Sequence, residues 1–338
     1  MVKPNIKILD CTLRDGGYVN DFDFGKENIS KIIKGLHTAN TDLIEIGFLK
    51  DGKHSPEQTL FNTVSEAEEY IRDEYIDQEF CLMIRPDWYD ISQLEKCSGR
   101  IKSIRFALRP EFLDLTLKQA QIARDYGYKV FLNPVNVLSY SNNELKNILK
   151  PLNNFQPEGI YIVDTFGSML PSDLKDIFKT FNESLDKKIA IGLHLHENLS
   201  ISLALASNFI EMLNGRSAYI DSSVLGMGRI PGNLCTELIM NYLNLTQKTN
   251  YNLNSVYELI DNPISKIKDN IPWGYLPAYS ITAFNLTHRS YAEYLMKKPN
   301  LPLSDIDVIL SKIKLKKDRD IFNESLIELL YNKFIQNS

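Results

Sequence analysis

Two histidines one residue apart, His194 and His196, lie in the short apolar run Ile191-Gly192-Leu193-His194-Leu195-His196-Glu197-Asn198. In an extended chain residues i and i+2 share a face, so both imidazoles project together and can hold one ion. The plain alternative is two satisfied core or surface imidazoles. The chain has only 5 histidines in 338 residues, however, and two on one strand face favour ligation. A second run, Leu9-Asp10-Cys11-Thr12-Leu13-Arg14-Asp15-Gly16-Gly17, sets a guanidinium beside a carboxylate. Asp15 added to two imidazoles makes a mixed nitrogen and oxygen site with positions left open for substrate and water. An Asp-Gly turn is the competing account of the same dipeptide. Arg14 cannot ligate a cation, but its fork of donors suits an enolate or carboxylate oxygen, or a neighbouring acid such as Glu45.

These residues need a scaffold that brings distant strand ends together. Short β-branched runs alternate with longer amphipathic stretches from the start of the chain, which is the pattern of parallel βα units. Strands are predicted at 6–13, 43–48, 80–85, 103–108, 129–133, 159–164, 190–196 and 219–225, with helices between them at 26–38, 57–73, 112–126, 174–184 and 200–213. Eight such units imply an α/β fold, a (β/α)8 TIM barrel, with its chemistry at the C-terminal strand ends. Polar groups do cluster there: Arg14, Asp15, Glu45, Arg85, Asn133, Asp164, Thr165, both histidines and the loop Gly226-Met227-Gly228-Arg229. An open doubly wound sheet is the alternative, but no G-x-G-x-x-G follows the first strand. The alternation stops near Asn250, and helix-like segments at 256–260, 280–297, 304–314 and 319–331 follow. The expected organisation is a barrel over 1–250 and a C-terminal helical appendage over 251–338.

Composition narrows the function classes. A 43% hydrophobic content supports a large core, and a net charge of −5 gives no electrostatic case for nucleic acid or an anionic membrane as partner. The four cysteines, Cys11, Cys81, Cys97 and Cys235, form no C-x-x-C pair, so neither a zinc knot nor a disulfide framework is expected. No apolar leader follows Met1 and no membrane-length run occurs, which points to the cytoplasm.

The start Thr12-Leu13-Arg14-Asp15-Gly16 and the strand His194-Leu195-His196 resemble the DRE-TIM metallolyase superfamily. That superfamily includes 4-hydroxy-2-oxoacid aldolases, hydroxymethylglutaryl-CoA lyase, isopropylmalate and homocitrate synthases and biotin-dependent carboxyltransferase domains. The resemblance implies that Asp15, His194 and His196 bind a divalent cation, Mn2+ or Mg2+, and that Arg14 stabilises an enolate. Asn233, in the glycine-rich segment 226–233, falls where some members supply a further metal contact. Read without the resemblance, that loop is turn punctuation before a helix N-cap.

The stretch Gly274-Tyr275-Leu276-Pro277-Ala278-Tyr279-Ser280 is similar to the C-terminal region of 4-hydroxy-2-oxovalerate aldolases, where a tyrosine reaches back to the barrel mouth. Tyr279 matches that residue better than Tyr275, with core packing as the alternative for either. The pattern departs at Tyr18, which stands where the aldolases carry a histidine base. The implied reaction is metal-dependent cleavage or formation of a 4-hydroxy-2-oxo acid. Its catalytic group would be Arg14, Tyr18, Glu45 and Tyr279, and its substrate would meet Arg14, Asn133, His194 and Tyr279. The rivals are an acyl-CoA lyase or Claisen-type synthase of the same superfamily, and a homologue that binds metal without catalysis. A small 2-oxo acid is the expected partner. A homodimer and an aldehyde dehydrogenase docked through the C-terminal helices are further possibilities that the resemblance raises.

Overall fold

In the computed structural model, which describes residues 4–337, eight parallel strands close into a barrel. Met1 to Lys3, on which the expectation about a leader bears, and Ser338 lie outside the described residues. The strands are β1 Ile6–Asp10, β2 Leu43–Leu49, β4 Glu79–Ile84, β5 Ile101–Leu108, β6 Lys129–Pro134, β7 Gly159–Val163, β8 Ala190–His194 and β9 Ala218–Ser222. β3, Leu60–Phe61, is a two-residue addition on the edge of β2. Pairing of β1 with both β2 and β9 closes the ring.

Each strand is buried on both faces, and its alternation separates two cores. Leu9, Leu43, Cys81, Phe131, Tyr161 and Tyr219 belong to the cluster that fills the barrel. Their neighbours Ile8, Ile44, Leu82, Leu132, Ile160 and Ile220 pack outward with the helices in the main apolar cluster. Those helices are α1 Lys26–Thr38, α2 Val64–Glu68, α3 Leu113–Asp125, α4 Asn142–Phe155, α5 Pro171–Ser184, α6 Ser202–Met212 and α7 Thr236–Gln247.

Several predicted elements end early, for local reasons. The first strand stops at Asp10 because the Cys11 carbonyl accepts from Arg14 N at 3.1 Å and Asp15 N at 2.7 Å, folding the chain into a turn. The helix expected at 57–73 is instead β3 followed by α2. Phe48 and Leu49 pair with Leu60 and Phe61, and the helix begins only at the capping box of Thr63 and Glu66. The predicted helix 280–297 splits into α10 Pro277–Phe284 and α11 Ser290–Met296 around Leu286, whose φ is +51°.

Beyond α7 the chain forms α8 Leu253–Leu259, α9 Ser265–Asn270, α10, α11, α12 Leu303–Leu310, α13 Lys316–Asp320 and α14 Glu324–Asn337. Tyr251, Val256, Leu259, Ile264 and Trp273 join the main apolar cluster of the barrel. Tyr291, Leu295, Ile306, Ile309, Leu310 and Ile327 form a smaller core of their own. The C-terminal segment is tied over the barrel mouth: Trp273 Nε1 donates to the Leu225 carbonyl at 2.9 Å, and Asn136 Nδ2 to Asp320 Oδ1 at 2.8 Å. No described helix is long and apolar enough to cross a membrane.

Candidate metal centre

Asp15, His194 and His196 meet at the C-terminal end of the barrel, their ligand atoms all within 4.8 Å of one another and all three residues buried. His194 ends β8, and His196 lies just beyond it, bridged to Asn233. The strand is thus two residues shorter than expected, yet both imidazoles turn to the same point. Each ring is fixed through Nδ1, which donates to Asp221 Oδ2 at 2.9 Å in His194 and to the Asp164 carbonyl at 2.8 Å in His196. That leaves Nε2 of both rings with its lone pair facing the cluster. Burial, and then the neighbouring His194, push the His196 pKa down to about 3, so this imidazole is neutral, as a ligand must be.

Burial alone would raise the Asp15 carboxyl, but Arg14, the imidazoles and the Asn233 amide outweigh it and hold it well below the usual carboxylate range. Asn233 Nδ2 and the Arg229 amide donate to Asp15 Oδ2 at 2.9 and 3.2 Å. Arg14 Nη1 bonds the other oxygen. Among the described residues, His196 Nε2 and Asn233 Oδ1 are buried at the cluster without a hydrogen-bond partner. An orphaned imidazole nitrogen, an orphaned amide oxygen and an ionised carboxylate form a donor set that fits a divalent cation.

Behind the cluster runs a line of ion pairs. Arg14 Nε donates to Glu45 Oε2 at 2.6 Å. Arg105 Nη1 lies 2.9 Å from the same Glu45 oxygen, and its Nη2 reaches Asp221 Oδ2 at 2.6 Å. Asp221 in turn holds His194. Three carboxylates, Asp15, Glu45 and Asp221, face two guanidiniums, Arg14 and Arg105, so the buried set carries an excess negative charge suited to a cation. Glu45 needs a charged partner, as the sequence suggests, and has two. Arg105 and Asp221 escaped the sequence reading, although each is a charge inside an apolar strand, as Glu45 is.

The cluster opens into a cavity of about 150 Å³ whose wall includes Arg14, Tyr18, Phe48, Asn133, Val163 and Arg229. Among the described residues Asn133 Oδ1 is buried without a partner, which leaves this oxygen free to accept from a donor. Tyr18 packs edge-on against Phe22 and Phe48. Burial, and then the nearby Asp15, raise its phenol above the ordinary value, so Tyr18 keeps its proton. Asp164 acts twice: its carbonyl holds His196, while its carboxylate accepts from Ser168 N at 3.0 Å and Met169 N at 3.1 Å and ties down the strand end. Tyr279 is buried in α10 and stands outside the residues lining the cavity, and its carbonyl accepts from Asn198 Nδ2 at 3.3 Å. Tyr275 is exposed.

A 4-hydroxy-2-oxovalerate aldolase of Geobacillus genomosp. 3 is 26% identical over 296 residues, covering 83% of this chain and 85% of the relative. The 4-hydroxy-2-oxovalerate aldolase of Bacillus thuringiensis (strain Al Hakam) is 25% identical over 327 residues, 91% of each chain. Among solved structures, the N-terminal domain of a putative aldolase from Bacteroides vulgatus superposes with a TM-score of 0.75 at 24% identity, covering 87% of this chain and 98% of that one, a likeness of fold. The family described as HMGL-like matches residues 5–262, from the first barrel strand past α8, and the chain belongs to that family.

Proposed function

We propose that this protein is a divalent-metal-dependent aldolase that cleaves or forms a 4-hydroxy-2-oxo acid, with pyruvate and an aldehyde as the other side of the reaction. The observation that carries the reading is Asp15, whose two oxygens face the imidazole cluster and the Arg14 guanidinium at once. A Mn2+ or Mg2+ ion held by Asp15, His194 and His196, with Asn233 as a further contact, would supply Lewis-acid charge opposite a developing enolate.

The chain's own groups do the rest. Arg14 has no protein acceptor at Nη2 among the described residues, so it has donor capacity left for an enolate oxygen while Glu45 and Asp15 fix its plane. Asn133 lines the same cavity, where its Nδ2 amide would donate to the substrate carboxylate. Phe48, Met83 and Val163 make part of the wall apolar and keep water from the reacting carbons. Tyr18, protonated at neutral pH, gives its proton to the alkoxide oxygen that forms on the aldehyde carbon during condensation. Cleavage returns that proton to the phenolate, and the raised pKa disfavours the phenolate that must be waiting.

The test is pyruvate release from a panel of 4-hydroxy-2-oxo acids, with EDTA and with added Mn2+. Metal-dependent release of pyruvate is the expected result. Absence of release from every compound with metal bound would overturn the proposal.

A further inference from the structure

Beyond the cavity at the cluster lies a second chamber, of about 360 Å³, roofed by the C-terminal segment. The two share Arg109, Val135, Thr165 and Arg229 in their walls, so a molecule anchored at Asp15, His194 and His196 leads past these four residues into the outer space. Its far side carries Lys316 and Lys317 of α13.

The charges here are uneven. Four cationic side chains, Arg109, Arg229, Lys316 and Lys317, line the chamber against two carboxylates, Glu111 and Asp320. Asp320 already accepts from Asn136 at 2.8 Å. Arg109 makes no hydrogen bond or ion pair through its guanidinium among the described residues, and its field reaches Asp87 without contact. Among the described residues Arg229 has no carboxylate partner for its side chain and bonds the ring of His288. Burial and the nearby arginines keep His288 neutral, its pKa pushed down to about 3. Lys316 lies 4.2 Å from the centre of the Tyr140 ring, which orients the ammonium without neutralising it. Guanidiniums left without anions at the neck of a cavity are poised to take one from a ligand.

We propose that the outer chamber binds an anionic group, a phosphate or a carboxylate, at the far end of the aldehyde half of the substrate. The inference rests on the aldolase reading for the position of the other half. The substrate class narrows accordingly, to 4-hydroxy-2-oxo acids whose aldehyde product is itself an anion. A short neutral aldehyde leaves Arg109, Lys316 and Lys317 unused.

Binding is measured first, by calorimetry on the full chain with Mn2+ and without pyruvate, so that no turnover is needed. The probes are D-glyceraldehyde 3-phosphate and succinic semialdehyde, with glyceraldehyde and butanal as their uncharged counterparts and inorganic phosphate as a free anion. At least one charged aldehyde should bind ten times or more tighter than its neutral counterpart and tighter than inorganic phosphate. In the Arg109→Gln, Lys316→Gln double variant that preference should fall to within about twofold.

Equal affinities overturn the proposal, as does a preference that survives the double substitution. Inorganic phosphate binding as tightly as the charged aldehydes overturns it too, by making the chamber a free-anion site. Exchange of the pyruvate C3 hydrogens in D2O, which needs only the inner site, reports on the aldolase reading by itself. Exchange without charge preference removes the chamber assignment alone. Charge preference without exchange removes the aldolase reading and leaves the chamber.

Discussion

Arg105 and His194 share one oxygen: Asp221 Oδ2 lies 2.6 Å from Arg105 Nη2 and 2.9 Å from His194 Nδ1. The orientation of a candidate metal ligand is therefore set by a charge three strands away, on β5. Arg105 is fully buried, 4.4 Å from the centre of the Tyr161 ring, and pairs also with Glu45, which holds Arg14. Asp15, Arg14, Glu45, Arg105, Asp221 and His194 make one continuous line that begins and ends at the cluster. Such a line fixes geometry at a cost in desolvation, so it belongs to positioning more than to stability.

Removing one member should expose that cost. Arg105→Met leaves Glu45 and Asp221 buried with fewer partners and is expected to lose about 3–5 kcal/mol of stability in denaturant unfolding. Asp221→Asn removes the charge that Arg105 and His194 both use. A fall in Mn2+ affinity of roughly 10–100-fold is expected, read by calorimetry. Unchanged affinity in Asp221→Asn would mean that His194 is oriented by packing alone.

His196→Ala deletes a candidate ligand nitrogen that no group among the described residues satisfies. The variant should keep its circular dichroism spectrum, because its cost is local, a small cavity and the loss of the Nδ1 bond to the Asp164 carbonyl beyond the end of β8. It should lose tight Mn2+ binding and metal-dependent pyruvate release together. Normal turnover by the variant after dialysis against EDTA would sink the metal-centred account.

Tyr18→Phe removes a hydroxyl from the cavity wall and keeps the ring that packs against Phe22 and Phe48. Turnover should drop by roughly 10²–10⁴-fold, the range for a positioned proton donor, with Mn2+ affinity changed little. An unaltered rate in the condensation direction would assign the proton to another group.

The barrel was legible because its strands obey two alternations at once, inward and outward, and their apolar runs recur between amphipathic helices. The cluster was legible too: Asp15, His194 and His196 are polar groups at strand ends, and the fold brings all strand ends to one face. What escaped was the connection between them. Arg105 and Asp221 lie on β5 and β9, far apart in sequence, and nothing local tells that their side chains meet inside a ring of eight strands. The outer chamber escaped for the same reason, since nothing local in the sequence tells that Lys316 and Lys317 of α13 line one cavity with Arg109 and Arg229. Element ends were the weakest part of the sequence reading, because a turn such as that on the Cys11 carbonyl overrides β propensity within a residue or two.

Gly228 offers a test of the Asn233 position. A Cβ built there would lie 2.3 Å from Asn233 Nδ2, too close for both to stay in place. Asn233 is buried and tied to Asp15 at 2.9 Å, so Gly228→Ala should push the amide off the carboxylate. The expected result is a loss of roughly tenfold in Mn2+ affinity. Gly228→Ala with full affinity would show that Asn233 contributes nothing to the centre.

Asp10 supplies a pH signature independent of the cluster. Its carboxylate is fully buried and accepts from Thr12 N at 2.9 Å and Thr236 Oγ1 at 2.7 Å. Burial outweighs these bonds and pushes its pKa up from the usual 3.8 to about 6. A carboxyl with a raised folded-state pKa binds its proton more tightly in the folded chain, so its contribution is most favourable at low pH. That contribution is lost as pH rises from the unfolded value toward and through the folded one. Between pH 5 and pH 7 Asp10 should cost the folded state about 1 kcal/mol. The amide introduced by Asp10→Asn can still accept from Thr12 N and donate to Thr236 Oγ1, whose hydroxyl proton is then free for Ser222. The stability of Asp10→Asn relative to the parent should therefore be greater at pH 7 than at pH 5, measured by urea unfolding at both. Parallel pH profiles for the two proteins would place the titration elsewhere.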